Sequence, residues 1–480
     1  MSGDGSILAG LIVYLVVMLT IGLLCARHMR SLDDYVLGGR RLGPWVSAIS
    51  ERASGESAWF LLGLPGAAYG LGLTEYWSVI GIAGGILASW TFIAVPLRRE
   101  TARMGALTLP DYLEARFNDR SRILRIVSMV AILLFYTAYV SAQLAGGSKI
   151  LNATFGIEPG YGLLIGALVV VGYTLLGGFL AVAWTDLIQG LLMTAVAVVL
   201  PIAGIIAVGG PSALIEKLAV RGPDYLSMSG GQVGSGFFLG VVVGGMAWGL
   251  GYLGQPHLLM RYMAIRKTSE LPKGGLIAMC WTLVSYWGAP LIGLVGVVVL
   301  GPNLADPEQV MPLLAVALMP GWIAGVMIAG ATAAMMSSAD SQLLVASSTL
   351  IEDIYVKLLG GGKRPGRLVF YSRLATIAVG AVALGLAYHA MRTQSSLIDS
   401  TVSYAWTGLG ASFGPPLVFA LWWKGTTRQG ALVGMIGGMI STVAWKNMAS
   451  LQDLLDIKAA AVLISALLVW TVSLLTRKSS

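Results

Sequence analysis

Ionisable and hydroxyl side chains interrupt several long apolar stretches of this sequence. In the first interruption, residues 50–57, eight consecutive positions lack a large apolar side chain. A charged group at the centre of a bilayer costs about 3 kcal/mol or more and persists only beside a partner or water. This pattern predicts a helix broken within the stretch, whose freed carbonyls face a binding site. The alternative is an ion-pair cluster of Glu51, Arg52 and Glu56 that holds two helices together.

A second interruption is rich in glycine and aromatic residues. Residues 244–254 contain five glycines in eleven positions, and each glycine weakens a helix by about 1 kcal/mol. This composition indicates unwinding or close packing of the backbone. Trp248 and Tyr252 are four residues apart and therefore share one face of a helix. The pair is suited to cover a small apolar solute, but packing against neighbouring helices explains it equally well.

A third polar group combines hydroxyls with a carboxylate. Ser337, Asp340 and Ser341 have the i, i+3 and i+4 spacing that places their oxygens on one helix face. Hydroxyls and carboxylates are the ligands of hard cations such as sodium. Serines in membrane helices also bond to their own preceding carbonyls, but the carboxylate of Asp340 favours an ion site. Asp186 is a further candidate for a buried carboxylate.

These residues lie in a chain with the composition of a membrane protein. Of its 480 residues, 56% are hydrophobic and 11% are charged, and the mean hydropathy is +0.79, whereas soluble domains carry about 25% charged residues. We expect an all-α polytopic membrane protein and not a soluble enzyme. Segments of sufficient length to cross a bilayer predict thirteen transmembrane helices, at 6–26, 42–70, 74–97, 122–148, 160–180, 184–208, 235–262, 274–300, 311–350, 367–391, 396–423, 428–446 and 458–476.

The two interrupted spans, the second and the seventh, stand five apart in this order. Paired broken helices are typical of inverted-repeat transporters, in which each repeat has five helices. We therefore expect a single transporter domain over 1–480. Its predicted parts are a peripheral helix and inner loop at 1–41, a first repeat at 42–208, a second repeat at 235–423 and two C-terminal helices at 428–480. The amphipathic stretch 108–117 predicts a short interfacial helix on the cytoplasmic side.

The distribution of lysine and arginine predicts the orientation in the membrane. With the N-terminus outside, the predicted inner loops hold 23 of these residues and the outer loops six, as expected for a protein of the cell membrane. The net charge of +8 is therefore an orientation signal, and we expect no nucleic-acid partner. Cys25, Cys280 and the three histidines form no metal-binding pattern. We expect no cofactor, no metal beyond a coupling ion, and no obligatory protein partner besides the lipid bilayer.

Several motifs carry a family resemblance along nearly the whole chain. They are DDYVLGGRRLGPW at 33–45, GLPGAAY at 63–69, ALTLPDYLEARF at 106–117, SRILRI at 121–126, GGFLAVAWTD at 177–186, WGLGYLGQPH at 248–257, SQLLVASS at 341–348, EDIY at 352–355 and SYAWTGLGASFGP at 403–415. Together they resemble the sodium:solute symporter family, and specifically its sodium/proline symporter branch. The resemblance implies a LeuT-like fold and import of L-proline by alternating access, driven by a sodium gradient.

The resemblance also implies roles for particular residues. Sodium would be held by backbone oxygens of Ala53, Glu56 and Ala334 and by the hydroxyls of Ser337 and Ser338. The solute would lie beside Ser57, near Trp248, Tyr252, Gln255 and Pro256, with Tyr139 in the outer gate. Asp186 matches an aspartate implicated in ion passage, and Asp340 and Ser341 are the other candidates for the ion path or a second ion. Arg40 matches a basic residue of the inner loop.

This chain departs from the branch where the ion chemistry is expected. Gly55 stands in place of an aspartate, Glu56 in place of an apolar residue, Asp340 in place of a serine, and Arg52 in place of a small residue. Because burial favours the uncharged form of a carboxyl group, Glu56 or Asp340 could carry a proton instead of a sodium ion. Sodium coupling is the favoured hypothesis and proton coupling is the alternative.

Other classes of protein fit the sequence less well. An enzyme is disfavoured because no nucleophile lies beside a base and no phosphate-binding or metal motif is present. A channel and a membrane sensor remain alternatives, and so does a symporter of another small solute. Proline is favoured by the branch resemblance alone.

Overall fold

The computed structural model describes residues 2–26, 36–175, 178–361, 365–392, 397–452 and 454–477. Part of the predicted inner loop 27–41 and the first residues of the motifs at 33–45 and 177–186 lie outside the described residues.

The first half of the chain is a series of helices joined by short turns. In chain order they are α1 Ser2–Ala26, α2 Pro44–Ala58, α3 Leu64–Leu71, α4 Tyr76–Ala88, α5 Ala94–Met104, α6 Leu109–Arg116, α7 Ile123–Phe155, α8 Pro159–Thr174, α9 Phe179–Val208 and α10 Pro211–Leu218. Widened π-helical turns at Trp59–Gly63 and Ser89–Ile93 join α2 to α3 and α4 to α5.

The second half begins with an irregular segment. A π-helical stretch, Gly236–Val243, leads into α11 Gly244–Met246 and a 3₁₀ stretch, Ala247–Leu253. The helices that follow are α12 Pro256–Ala264, α13 Leu271–Val299, α14 Val310–Leu318, α15 Gly321–Ser348, α16 Pro365–Met391, α17 Leu397–Trp422, α18 Arg428–Asn447, α19 Ala449–Gln452 and α20 Ile457–Thr476. The described residues form no β-strand, so the predicted all-α class is confirmed.

Many of these helices are long and apolar enough to cross a membrane. Within the described ranges, nine segments meet this description. One of them, Pro44–Met104, contains both the second and the third predicted spans. The polytopic architecture agrees with the prediction, while the count of thirteen spans stays a prediction.

Two predicted spans are wrong as continuous helices. The span 311–350 is divided, since α14 ends at Leu318 and α15 begins at Gly321. Pro320 disfavours a helical conformation in the residue before it, and Met319 is accordingly extended, with φ −104° and ψ 144°. The span 160–180 is also too long, because α8 ends at Thr174 and its last two residues belong to α9.

Both predicted helix breaks are present. Ser57 adopts φ 60° and ψ −178° between α2 and the turn that follows it. The second break lies at Gly254 and Gln255, before α12. A Cβ atom on Gly254 would lie 2.4 Å from the Gly414 backbone nitrogen, so only glycine allows this close approach to α17. The two broken helices also meet at one end, where Ile265 and Leu42 form an isolated parallel bridge.

The core is built around α2 and α15. Helix α2 packs against α7, α9, α12, α13 and α15, and every residue in 46–58 is buried. Helix α15 is buried throughout 327–348, and α1 covers it from outside. The polar residues of α2 and α15 are therefore enclosed by protein and not by lipid.

Ion pairs with the buried Arg125 fix the predicted interfacial helix to the bundle. Thr108 caps α6 by accepting the Asp111 N–H at 3.1 Å. Arg125 of α7 pairs with Asp111 at 2.8 Å and also with Glu114 and Asp353. Burial alone would raise the pKa of Asp111, but Lys357 and Arg125 outweigh it and hold that pKa below its usual value. The predicted helix is present, and its cytoplasmic location stays a prediction.

Close helix packing generates a test of the fold. In α13, a Cβ atom on Gly288 would lie 1.9 Å from the Ala197 carbonyl oxygen of α9. We expect Gly288→Ala to cost about 1–3 kcal/mol through overpacking and to lower the melting temperature of the purified protein in detergent. Gly84→Ala is the control, since its Cβ would meet nothing within 4 Å. Equal melting temperatures for the two variants would contradict this packing.

Candidate functional site

The break at Ser57 frees a carbonyl that other elements then use. The Ala58 N–H donates to Gln143 Oε1 at 2.8 Å instead of continuing the helix. In a continuous helix the Ala58 N–H would donate to the Ser54 carbonyl. That carbonyl instead accepts from Ser338 Oγ at 2.8 Å and interacts with His257 Nε2 at 3.2 Å. The break therefore links α2 to α7, α12 and α15.

A cluster of oxygens lies between α2 and α15. Ser337 Oγ is 2.9 Å from the Ala53 carbonyl oxygen and 3.2 Å from that of Ala334. Ser338 Oγ bonds the neighbouring carbonyl of Ser54. The carbonyl of Glu56, the fifth predicted sodium ligand, accepts the Trp59 N–H. Carbonyl and hydroxyl oxygens in this arrangement suit a hard monovalent cation.

A buried arginine connects the predicted ion-path residues. Arg261 Nη2 lies 3.1 Å from Asp186 Oδ2 and 2.6 Å from Ser341 Oγ. Ser50 Oγ and Ser54 Oγ donate to the same Asp186 oxygen at 2.6 and 2.8 Å. All these groups are at most 1% exposed. The network joins α2, α9, α12 and α15 through one ion pair.

Asp340 lies beside this network, but the network does not supply hydrogen bonds to both of its carboxylate oxygens. Its Oδ1 is 3.5 Å from Ser341 Oγ, and it interacts electrostatically with Asp186 and Arg261. Among the described residues, neither Asp340 Oδ2 nor Asp186 Oδ1 has a hydrogen-bond partner. The three residues predicted for the ion path, Asp186, Asp340 and Ser341, are thus brought together. Unpaired buried carboxylate oxygens are suited to bind a cation or a proton.

The ion pairs among Glu51, Arg52 and Glu56 are also present, but they lie within α2 and do not hold two helices together as the alternative expected. Arg52 pairs with Glu51 through two nitrogens and with Glu56 Oε1 at 3.2 Å. Its guanidinium lies 4.9 Å from the centre of the Tyr252 ring, and Tyr286 donates to Glu56. The helix break and the ion-pair cluster therefore coexist in α2.

An aromatic cavity adjoins the break. It is lined by Gly55, Glu56, Ser57, Trp59, Ile82, Tyr139, Trp248, Tyr252, Tyr286, Val402 and Trp406. Its free volume is about 10 Å³, which is near the space that a single water molecule needs. A solute larger than water would therefore require these side chains to move apart.

Four of the six predicted solute-binding residues line this cavity. They are Ser57, Tyr139, Trp248 and Tyr252. The segment of Trp248 and Tyr252 is a 3₁₀ helix, in which residues four apart do not share a face as they do in an α-helix. Gln255 and Pro256 lie outside the lining. Gln255 Nε2 donates to the Trp406 carbonyl at 2.9 Å, and Pro256 begins α12. Both shape the second break.

Direct contacts lie on both sides of the broken helix α2. On one side, Trp59 and Trp248 stack with ring centres 4.3 Å apart, and Trp59 Nε1 donates to Asp399 Oδ1 at 2.8 Å. On the other side, the Arg40 guanidinium donates to the carbonyls of Met263, Thr101 and Ala106. Access to the cavity past Trp59 and Trp248 requires their ring contact to break.

Comparison with known proteins agrees with this architecture. The profile of the Sodium:solute symporter family matches residues 35–438. This chain belongs to the sodium:solute symporter family. It is 41% identical over 467 residues to the high-affinity proline transporter PutP of Bacillus subtilis, covering 96% of this chain and 97% of that protein. It is 39% identical to the sodium/proline symporter of Escherichia coli K12, covering 91% and 86% of the two chains.

Solved structures identify the fold as LeuT-like. A Na⁺-coupled sialic acid symporter, solved in a substrate-bound outward-open state, aligns with a TM-score of 0.81 at 23% identity and covers 98% of each chain. MhsT in complex with L-phenylalanine aligns with a TM-score of 0.57 at 14% identity, covering 90% of this chain and 97% of that one. The predicted LeuT-like fold is therefore confirmed, and the chain is a multi-pass membrane transporter of this family.

Sequence analysis missed several residues of the site. Arg261 lies at the end of the predicted span 235–262 and received no role in the predicted site, yet its side chain is buried in α12. Its position four residues after His257 is the only sequence signal, because residues i and i+4 share a helix face, and Arg261 Nη1 does donate to the His257 carbonyl at 2.6 Å. Trp59, Trp406 and Tyr286 also line the cavity, but their spacing in the sequence has no periodicity that would predict this.

The buried ion pair generates a double-mutant prediction. We expect Asp186→Asn and Arg261→Gln each to destabilise the protein by about 3–5 kcal/mol, because each leaves an uncompensated buried charge. The double variant should lose less stability than the sum of the two, since it removes both charges. Thermal unfolding of the purified variants in detergent measures this difference. Strict additivity would show that the two groups do not interact.

Proposed function

We propose that this protein imports L-proline together with sodium by alternating access, in the cell membrane, with the N-terminus outside and the C-terminus cytoplasmic. The observation that carries the proposal is the oxygen cluster of Ala53, Ala334 and Ser337, which lies one helical turn from an aromatic cavity at the Ser57 break. The relatives named as proline transporters and sodium/proline symporters support the same assignment.

The chemistry of the cavity suits a small amino acid with an apolar ring. Aromatic side chains of Trp248, Tyr252 and Trp406 supply flat apolar surfaces. The helix that resumes after Ser57 presents its N-terminal end, which favours a carboxylate. Aromatic faces also attract the positively charged amine. Proline combines these three features, as do other small amino acids, and the proline relatives decide between them.

Coupling of ion and solute follows from their common helix break. A sodium ion bound by Ala53, Glu56, Ala334, Ser337 and Ser338 would hold α2 against α15. The same segment of α2 carries Ser57 into the solute cavity. Because ion and solute would stabilise one conformation of the break, each should raise the affinity for the other.

The buried carboxylates keep proton coupling as a second candidate. Asp340 Oδ2 is buried without a hydrogen-bond partner among the described residues, and a protonated carboxyl group could replace a sodium ion there. Asp186, Asp340 and Ser341 would then form the proton path, or a second ion site if sodium is the coupling ion. We propose no enzymatic activity, no cofactor and no obligatory protein partner.

Transport in liposomes tests the proposal directly. We expect the reconstituted protein to accumulate labelled L-proline under an inward sodium gradient and not under a proton gradient in sodium-free buffer. Empty liposomes are the control for leakage. Accumulation with protons alone would assign coupling to a carboxyl group such as Asp340. No accumulation under either gradient would overturn the proposal for proline.

Serine substitutions in α15 test the sodium site. We expect Ser338→Ala to raise the sodium concentration for half-maximal uptake about tenfold, because it removes one ion ligand of about 1–1.5 kcal/mol. Ser347→Ala is the matched control, since Ser347 is buried in the same helix but bonds its own Leu344 carbonyl at 3.1 Å. Unchanged sodium dependence in Ser338→Ala, with normal amounts of protein in the membrane, would remove Ser338 from the site.

A further inference from the structure

An apolar groove lies on the outer surface of the bundle, between the α4–α5 segment and α13. Leu87 and Val95 line one wall, and Leu271, Leu276 and Met279 line the other. The volume of the groove is about 560 Å³, within the range of small-molecule sites. Because Leu276 is 66% exposed, the groove opens away from the bundle, toward the region that lipid fills around a membrane protein.

The groove extends over the depth of one leaflet of a bilayer. From Leu271 to Met279, α13 advances by eight residues, or about 12 Å, and half of the hydrocarbon core is about 15 Å thick. The end at Leu271 lies shortly after Ile265, whose carbonyl accepts from Arg98 of α5 at 2.8 Å. Because the loops at this end are rich in lysine and arginine, we expect it to face the cytoplasm.

Basic residues surround this end of the groove at the start of α13. Arg266 pairs with Glu270 at 2.7 Å, and Lys267 and Lys273 also interact electrostatically with Glu270. Three cations therefore share this carboxylate. Lys273 is exposed and directly follows Pro272, which lines the groove.

Helix α5 contributes a further cation from the opposite wall. Arg99 is exposed and lies one helical turn after Val95, on the same face of the helix. The neighbouring Glu100 is engaged with α6, where it accepts from the Tyr112 hydroxyl at 2.7 Å and pairs with Arg116 at 3.6 Å. Basic pockets between transmembrane helices on the cytoplasmic side bind anionic lipid headgroups, and this end of the groove has that character.

Trp90 forms the floor of the groove and connects it to the interior. Its Nε1 donates to Glu51 Oε2 at 3.0 Å, and its ring centre lies 4.7 Å from that of Tyr262. Because these contacts hold the indole in place, the groove is preformed, as ligand sites usually are. Glu51 also pairs with Arg52, whose guanidinium lies over the Tyr252 ring of the aromatic cavity.

We propose that this groove binds an anionic phospholipid of the inner leaflet, with an acyl chain packed along Trp90 and Leu276 and the phosphate held by Arg99 and Lys273. Burial of the apolar chain supplies affinity, and the net charge of the headgroup supplies selectivity over zwitterionic lipids. The bound chain contacts Trp90 and so lies one side chain away from the ion pairs of Glu51. This lipid site is independent of the identity of the transported solute.

Native mass spectrometry of the purified protein tests the groove. The protein is incubated in detergent with equal amounts of a phosphatidylglycerol and a phosphatidylcholine that carry identical acyl chains. We expect the wild type to retain about tenfold more phosphatidylglycerol. The double variant Arg99→Gln/Lys273→Gln should lose this preference, because it removes charge-assisted contacts to the phosphate.

Two further variants separate the groove from general surface charge. Arg120→Gln/Arg477→Gln is the matched control, since it removes two exposed arginines of the same predicted side that lie outside the groove and should leave the preference unchanged. Leu276→Trp keeps the basic residues but fills the groove with a larger side chain, and it should reduce retention of phosphatidylglycerol about tenfold.

The opposite results overturn the site. Equal retention of both lipids by the wild type would indicate nonspecific lipid, and a dimer that retains no lipid would assign the groove to a second copy of the chain. Loss of the preference in the control variant would overturn the assignment to Arg99 and Lys273, and unchanged retention in Leu276→Trp would overturn the groove. Retention that depends on these residues, in a protein that accumulates no proline, supports the lipid site and overturns only the proposed transport.

Discussion

A helix that stops inside a membrane protein leaves backbone polar groups that lipid cannot satisfy, and the rest of this structure depends on how that problem is solved at Ser57. The N–H of Ala58 is satisfied by Gln143 of α7. The carbonyl of Ser54 is satisfied by Ser338 of α15 and contacts His257 of α12. Each partner comes from a different helix, so the break determines which helices must surround α2. The predicted ion and solute sites lie where these partners from α7, α12 and α15 meet α2.

The buried charges follow from the same constraint. Arg261 and Arg52 are both fully enclosed, and an enclosed guanidinium persists only with carboxylates and hydroxyls around it. Arg261 is surrounded by oxygens from α2, α9 and α15, whereas Arg52 uses carboxylates of α2 itself. The first arrangement ties separate helices together, and the second stiffens one helix beside the cavity. The two arginines therefore stabilise different parts of the structure.

Sequence reasoning located the features that depend on local composition. Eight small or polar residues within an apolar stretch predicted the break in α2, and the glycine-rich stretch predicted the break before α12. Sequence reasoning did not locate the features of the site that depend on contacts between distant parts of the chain. Arg261 was not predicted for the site because its partner Asp186 is 75 positions away in the sequence. The cavity lining also includes Trp59, Tyr286 and Trp406, which are spread over the chain and converge only after folding. Pro320 is a local signal for the break between α14 and α15, because a proline disfavours helical conformation in the residue before it.

The bridge between Leu42 and Ile265 limits how the protein can change shape. The Leu42 N–H donates to the Ala264 carbonyl at 3.2 Å, and the Arg266 N–H donates to the Leu42 carbonyl at 2.9 Å. These two bonds join the segment that precedes α2 to the segment that follows α12. While they hold, the start of α2 and the end of α12 are fixed to each other by backbone hydrogen bonds. A movement of either discontinuous helix at this end must therefore carry the other with it or break these two bonds.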